Sequence, residues 1–196
     1  MRRYLAIPLA GVLAITSLQA QTAETAILPR EQQVASAVLP LPEGARPTAT
    51  VWGYDAEGTF VKLREGTGDM VCLASAPSSP QFHVACYHVS MEPFMARGRE
   101  LRSIGVTGDL VDTVRFAEVE SGKLKMPTLP AALSSLTGTS YDQAAGSIVG
   151  ARPLHTVYIP GATPESTGIL NAPGVGVPWI MFSGTPKAHI MYIPKP

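Results

Sequence analysis

The chain has 196 residues, with 15 basic and 15 acidic side chains and therefore no formal net charge at pH 7. This balance excludes a charge-driven attraction to nucleic acid or to an anionic membrane surface, and we expect no nucleic-acid partner. Eighteen Gly and eighteen Pro favour short strands joined by many turns over long helices.

The first twenty residues are predicted to be a secretory signal peptide. Arg2 and Arg3 precede an apolar run from Leu5 to Leu18, and Ala20 is a small residue suited to cleavage. The run is shorter than the roughly 20 apolar residues of a transmembrane helix, although an uncleaved N-terminal anchor is the alternative. We therefore expect a secreted or periplasmic protein with no transmembrane span once the signal is removed.

Residues 21–47 are predicted to be a flexible lead-in, because prolines interrupt and then end the weak helical pattern there. A single α+β domain should follow over residues 48–196. It begins with a predicted hairpin, in which Ala49–Tyr54 and Phe60–Arg64 are strands and the acidic turn between them is closed by Gly58.

The two cysteines lie in the next predicted strands, Met70–Ala74 and Phe82–Cys86. In an exported chain, Cys72 and Cys86 predict a disulfide. Closing a loop of about 15 residues stabilises a fold by about 3 kcal/mol. The alternative is a metal site that includes Cys86, but two thiols this far apart lack the tight spacing of zinc clusters.

The main predicted helix begins near Ser90, a good N-cap, with Pro93 in its first turn. Apolar residues at three- and four-residue spacing predict its buried face. They are Met91, Phe94, Met95, Gly98 and Leu101. Gly98 lowers helix propensity by about 1 kcal/mol relative to Ala, so either a close neighbour needs that space or the helix is weak there. Three arginines near the C-terminus suit the helix dipole, namely Arg97, Arg99 and Arg102.

Residues 104–149 are ambiguous. Val111–Val119 fits either a strand or a helix, and the alternation around Val114 and Phe116 favours a strand. Ala131–Leu136 predicts a short strand, whereas Thr137–Gly150 is polar and Gly-rich and predicts a loop.

One pattern occurs twice near the C-terminus. Pro153–Pro160 and Lys187–Pro194 each contain a His near the start, then Tyr-Ile, then Pro. With the apolar run Trp179–Phe182, they predict three strands at the heart of one sheet, and the long connection Gly161–Gly176 has a length that is often functional. The predicted fold class is α+β, with a mostly antiparallel sheet and one main helix packed on a face.

Three segments carry a resemblance to a protein family. They are Gly58–Gly66 leading into Cys72, Cys86 followed by a Met-containing helix, and Pro178–Met181 followed by the Gly-Thr-Pro-x-Ala-His motif at Gly184–His189. In these segments the chain resembles an uncharacterised family of bacterial secreted proteins, over residues 49–102 and 150–194. The resemblance implies export and a shared architecture, and it implies no activity or cofactor.

His155 and His189 hold matching positions in two of the predicted strands. If those strands are neighbours in register, both imidazoles lie on one side at a Cβ separation of about 5 Å. With Met191 they would then offer ligands for copper or zinc. The alternative is that each is a packing group, because metal sites need three or four convergent ligands. The same alternative applies to His83 and His88.

The remaining hypotheses concern aromatic residues and catalysis. Trp52, Tyr54, Trp179 and Tyr192 lie on predicted strands and form either a carbohydrate or peptide platform or a packed core. The sequence contains no G-x-S-x-G, P-loop, G-x-G-x-x-G or H-E-x-x-H pattern. The leading hypothesis is therefore a non-catalytic binding or structural protein of the envelope or exterior. The alternative is a metal-binding protein or metal-dependent enzyme.

Overall fold

A computed structural model describes residues 27–195, and the predicted signal peptide lies outside them. The strands are β1 (Thr50–Tyr54), β2 (Phe60–Arg64), β3 (Met70–Leu73), β4 (Phe82–His88), β5 (Ala131–Gly138), β6 (Tyr141–Asp142), β7 (Ser147–Ile148), β8 (Arg152–Tyr158), β9 (Trp179–Met181) and β10 (His189–Tyr192). The α-helices are α1 (Arg30–Ala37), α2 (Glu92–Ser103), α3 (Asp109–Glu120) and α4 (Pro164–Thr167). Within residues 27–195, no helix has the length and apolar character needed to cross a membrane.

Eight of the strands form one sheet in the order β2-β1-β3-β4-β5-β8-β10-β9, and β6 pairs with β7 separately. Neighbouring strands of the large sheet are antiparallel except β1 and β3, which are parallel. The predicted hairpin is confirmed, with Tyr54 opposite Phe60. The α+β class and the mostly antiparallel sheet are therefore confirmed.

The predicted disulfide between Cys72 and Cys86 is present. The two residues face each other on β3 and β4, with their Cα atoms 4.0 Å apart, and both are fully buried. The bond ties the two strands together near the base of the loop that connects them. We call residues 74–81 the disulfide-closed loop.

One side of the sheet, here called the α1 face, packs against α1. Its core contains Val51, Cys72 and Cys86 together with Ala37 of the helix and Leu41 after it. The predicted flexible lead-in differs from this arrangement, since residues 30–41 contain a helix and contribute buried side chains to the core.

Gln33 adds polar contacts to the apolar packing of α1 through Val34 and Ala37. Its side chain is buried, and its amide donates to the carbonyls of Leu28 and Tyr54 at 2.7 and 2.8 Å. Its carbonyl accepts from the Tyr54 N–H at 2.9 Å. Gly53 permits this approach, because a Cβ there would collide with the Gln33 carbonyl oxygen. The Gln33 side chain thus satisfies both backbone hydrogen-bonding groups of Tyr54 at the end of β1.

The other side, here called the helix-pair face, packs against α2 and α3. Its core includes Val71, Tyr87 and Phe94. The expectation of one main helix is not confirmed, because α3 has the same 12-residue length as α2 and packs beside it. The preference for a strand over Val111–Val119 is wrong, since these residues lie in α3.

The stripe predicted for α2 is confirmed, with Phe94, Gly98 and Leu101 buried. The predicted N-cap differs. Ser90 belongs to a short 3₁₀ turn, and the Ser90 N–H donates to the His88 ring at 3.2 Å.

The three C-terminal strands do join one sheet, but they form its end rather than its heart. β9 is the edge strand, while β4 and β5 are central. Two predicted loops also contain structure. Thr137–Gly150 holds the β6–β7 pair, and Gly161–Gly176 holds α4, whose Thr163 and Ser166 form a capping box.

Candidate functional site

The most complete candidate site is a cleft between the C-terminal half of α2 and strands β1–β4, on the helix-pair face. We call it the aromatic cleft, and its volume is about 840 Å³. Residues from five chain segments line it. They are Tyr54, Phe60, Leu73, Ala74, Ala76, Ser79, His83, Ala85, Arg99, Glu100, Arg102 and Ser103. Leu73 and Ala85, which are opposite each other on β3 and β4, give it an apolar floor.

Aromatic rings form one wall of the cleft. Phe60 stacks on Trp52 with centroids 5.6 Å apart, and Tyr54 meets Phe60 edge-on at 5.4 Å. All three side chains are only partly buried. Because each ring is held by its neighbour, the wall presents a preorganised surface to a flat ligand.

Arg99 connects this wall to the interior. Its guanidinium carbon lies 5.5 Å from the Phe60 centroid. Its two terminal nitrogens donate to the Tyr87 hydroxyl at 2.9 Å and to Glu92 at 2.6 Å, and the Tyr87 hydroxyl donates to the other Glu92 oxygen. Burial raises the pKa of Tyr87 well above its usual range, and its bond to Glu92 adds to this. The network therefore fixes Arg99 in place.

Two further polar side chains frame the cleft. Arg102 is exposed and donates to the Gly98 carbonyl at 3.0 Å. His83 shares a hydrogen bond of 2.9 Å with the Thr137 hydroxyl, and desolvation lowers its pKa. At neutral pH, His83 thus presents a neutral ring.

The disulfide-closed loop supplies the opposite wall through Ala76 and Ser79. The hydroxyl of Ser75 in this loop accepts from the His83 N–H at 3.0 Å. This bond holds the disulfide-closed loop to β4 beside the cleft.

The structure does not bring His155 and His189 together. In the β8–β10 ladder, His189 is opposite Tyr158, and His155 is opposite Tyr192. The two histidines are thus offset by three positions, which places them on opposite faces of the sheet. His155 is exposed and bonds the Ser134 hydroxyl at 3.0 Å, whereas His189 is buried and contacts the Lys187 carbonyl at 2.7 Å.

Met191 shares a strand face with His189 but not with His155. Among residues 27–195, no three His, Cys, Asp or Glu side chains are grouped so as to hold a metal ion. The remaining candidate His88 bonds the Ser90 hydroxyl at 2.8 Å beside the start of α2.

His189 instead joins what we call the C-terminal cluster, made of Asp112, Arg115, Tyr158, Phe182, Lys187 and His189. The His189 ring lies 4.9 Å from that of Tyr158 and 5.6 Å from that of Phe182. Burial raises the pKa of Tyr158 to about 12. Burial also lowers the pKa of His189, so both side chains are neutral at pH 7.

Charges complete the C-terminal cluster. Asp112 is bonded by Arg115 and, at 2.8 Å, by Lys187. Burial alone would raise the pKa of Asp112, but its bonds to Lys187 and Arg115 lower it overall. The Lys187 ammonium lies 4.1 Å from the Phe182 centroid, and Phe182 has the left-handed φ of 53°. Each charge here has a partner within the cluster.

The four aromatic residues considered as either a platform or a packed core are divided. Tyr54 lines the aromatic cleft and Trp52 stacks on the lining residue Phe60, whereas Trp179 is buried and Tyr192 is exposed on the α1 face. The sequence pattern did not single out Phe60 as a site residue, and it indicated only a helix-dipole role for Arg99 and Arg102. The sequence indicated only that Phe60 lies in a predicted strand and that Arg99 and Arg102 lie in the predicted helix.

Comparison of the chain with protein-family models, curated proteins and solved structures finds no match.

Proposed function

We propose that the protein is an exported, non-catalytic binding protein that holds a ring-bearing small ligand in the aromatic cleft. The observation that carries this proposal is the convergence of the Tyr54 and Phe60 rings on an apolar floor in a cleft of about 840 Å³. Small-molecule sites have such volumes and such linings, with a few polar groups that fix orientation.

Two features support export and binding. The first twenty residues have the pattern of a signal peptide, and the Cys72–Cys86 disulfide is compatible with an extracellular or periplasmic location. The Glu92 carboxylate does not line the cleft and is bonded by Tyr87 and by the lining residue Arg99. A carboxylate bonded in this way holds Tyr87 and Arg99 in position, which suits a site that binds a ligand.

The test uses N-phenyl-1-naphthylamine, a neutral two-ring probe that fluoresces in apolar sites. The chain offers a matched pair of variants. Tyr54→Ser alters the aromatic cleft, whereas Tyr141→Ser alters a neighbouring apolar pocket. That pocket shares Ala74 and Ala76 with the cleft but is not lined by Tyr54. Thermal unfolding of each variant establishes that it is folded.

We expect saturable binding of the probe to the purified mature protein. Tyr54→Ser should weaken it about tenfold, or about 1.4 kcal/mol, because one ring contact is lost. Tyr141→Ser should bind as the wild type does. The absence of saturable binding, or a loss confined to Tyr141→Ser, would contradict the proposal.

A further inference from the structure

The polar side of the aromatic cleft is cationic. Of the three charged side chains that line it, two are arginines, Arg99 and Arg102, and the third is Glu100. The Glu100 carboxylate is held by Arg97, at 2.8 Å. Among residues 27–195, no carboxylate lies within 4.0 Å of the Arg102 guanidinium.

Both arginines keep hydrogen-bond capacity for a ligand. A guanidinium has five N–H donors. Arg99 uses donors on its two terminal nitrogens for Tyr87 and Glu92, and Arg102 uses one for the Gly98 carbonyl. These bonds hold both guanidinium groups in place and leave several of their N–H donors free. Free guanidinium donors are what a carboxylate or phosphate oxygen binds.

The aromatic wall and a cation lie close together. The Arg99 guanidinium carbon is 5.5 Å from the Phe60 centroid. A ligand in contact with this wall therefore brings a group attached to its ring within reach of the Arg99 guanidinium. The charge of Arg99 is paired with Glu92, so Arg102 supplies the positive charge that has no carboxylate partner among the described residues.

We infer that the ligand of the aromatic cleft is an anion, in which a flat ring packs on Tyr54 and Phe60 and a carboxylate, sulfonate or phosphate group binds Arg102 and Arg99. This inference rests on the proposed function and specifies the ligand class for the same site. Arg102 is the specificity-determining residue, because its charge has no carboxylate partner in the described part of the chain.

The test compares two probes that differ in one group. 8-Anilinonaphthalene-1-sulfonate is N-phenyl-1-naphthylamine with an added sulfonate, so both present the same rings. Each is titrated into the wild type, into Arg102→Gln, and into Lys125→Gln, which removes a charge from an exposed lysine outside the cleft lining.

We expect the sulfonate probe to bind the wild type about tenfold more tightly than the neutral probe at low salt. Arg102→Gln should remove most of that difference and leave the affinity for the neutral probe within about twofold, since only the charge-assisted bonds are lost. Lys125→Gln should keep the difference. Added salt should weaken only the sulfonate probe.

Equal affinities for the two probes in the wild type would overturn the inference and leave the proposed function standing. So would a loss of both probes to the same extent in folded Arg102→Gln. If neither probe binds, the proposed function fails, and the inference fails with it.

Discussion

The aromatic cleft and the C-terminal cluster lie on the same face of the sheet and use the same kinds of side chain. Each combines aromatic rings, an arginine, a histidine and a carboxylate. In the C-terminal cluster the rings pack against one another at a tilt, and two cations share the Asp112 carboxylate, so the groups contact each other. In the cleft, Arg102 has no carboxylate partner among the described residues and the rings face open space.

This difference shows that residue type alone does not identify a binding site. The charged groups of the cluster are paired with one another, although the buried Nε atom of Arg115 has no hydrogen-bond partner among the described residues. Such pairing stabilises the fold and makes burial of the charges tolerable. A cleft whose arginines and rings are fixed in place but keep free donors and open faces can bind a ligand. The comparison predicts that changes in the cluster act on stability, whereas changes around the cleft act on ligand binding.

The largest effect should come from the disulfide. Both cysteines lie on the α1 face, but the loop between them lines the aromatic cleft. Replacing both Cys72 and Cys86 by Ala should lower the free energy of unfolding by about 3 kcal/mol, because the unfolded chain regains the entropy of an open loop. It should also weaken binding of the neutral probe, since the disulfide-closed loop forms a wall of the cleft. Urea unfolding and probe titration measure the two effects. Unchanged probe affinity in the folded variant would show that the disulfide does not position the cleft.

Asp112→Asn should act on stability alone. It removes the charge shared by Arg115 and Lys187, and Arg115 is only 4% exposed. We expect a loss of about 2 kcal/mol in urea unfolding, because a buried cation loses its charge-assisted bond. Asp109→Asn on the same helix is the control and should cost less than about 1 kcal/mol, the size of a helix-dipole effect. A large fall in probe affinity for Asp112→Asn would contradict the expectation that the C-terminal cluster acts only on stability.

Gly98→Ala tests the contact between the two helices that separate the regions. Ala favours a helix by about 1 kcal/mol over Gly. However, a Cβ at this position would lie 2.8 Å from a terminal nitrogen of Arg115. That nitrogen donates to the Phe94 carbonyl, and the other terminal nitrogen donates to Asp112. We expect a net loss of about 1 kcal/mol from overpacking. Gly44→Ala, where a Cβ meets nothing within 4 Å, should not lose stability. A stabilised Gly98→Ala would show that Arg115 moves freely.

The smallest effect should be the pH dependence from His189, whose pKa is lowered by burial. A lowered pKa means that the unfolded state binds the proton more readily than the folded state. Its contribution is therefore fully present above the unfolded pKa of about 6.5 and is lost as the pH falls towards the folded pKa. His189→Gln should flatten the decline in unfolding free energy between pH 7 and pH 5. An identical slope in the variant would place the ring in a solvated environment.

Much of the fold is predictable from local pattern. The β1–β2 hairpin, the disulfide and the stripe on α2 each depend on nearby residues, and all three are confirmed. For α3 a strand was favoured over a helix, because Arg115 occupies an inward position and interrupts the apolar helical pattern. For α1 only a weak helical pattern was recognised, because its buried positions include the polar Gln33 and Ser36.

The site was harder to predict for a geometric reason. The start of one antiparallel strand lies beside the end of its neighbour, so matching positions in β8 and β10 are not paired. The repeated histidine pattern therefore drew attention to two residues on opposite faces. The aromatic cleft has no local pattern at all, because segments far apart in sequence, from Tyr54 to Ser103, meet only in the folded sheet.

The most direct test of ligand binding in the aromatic cleft is an NMR titration of the isotope-labelled mature protein with N-phenyl-1-naphthylamine. We expect saturable chemical-shift changes centred on Tyr54, Phe60, Leu73 and Ala85, with the signals of Phe182 and His189 unmoved. Changes centred on the C-terminal cluster, or spread evenly over the surface, would contradict the claim that the aromatic cleft is the binding site.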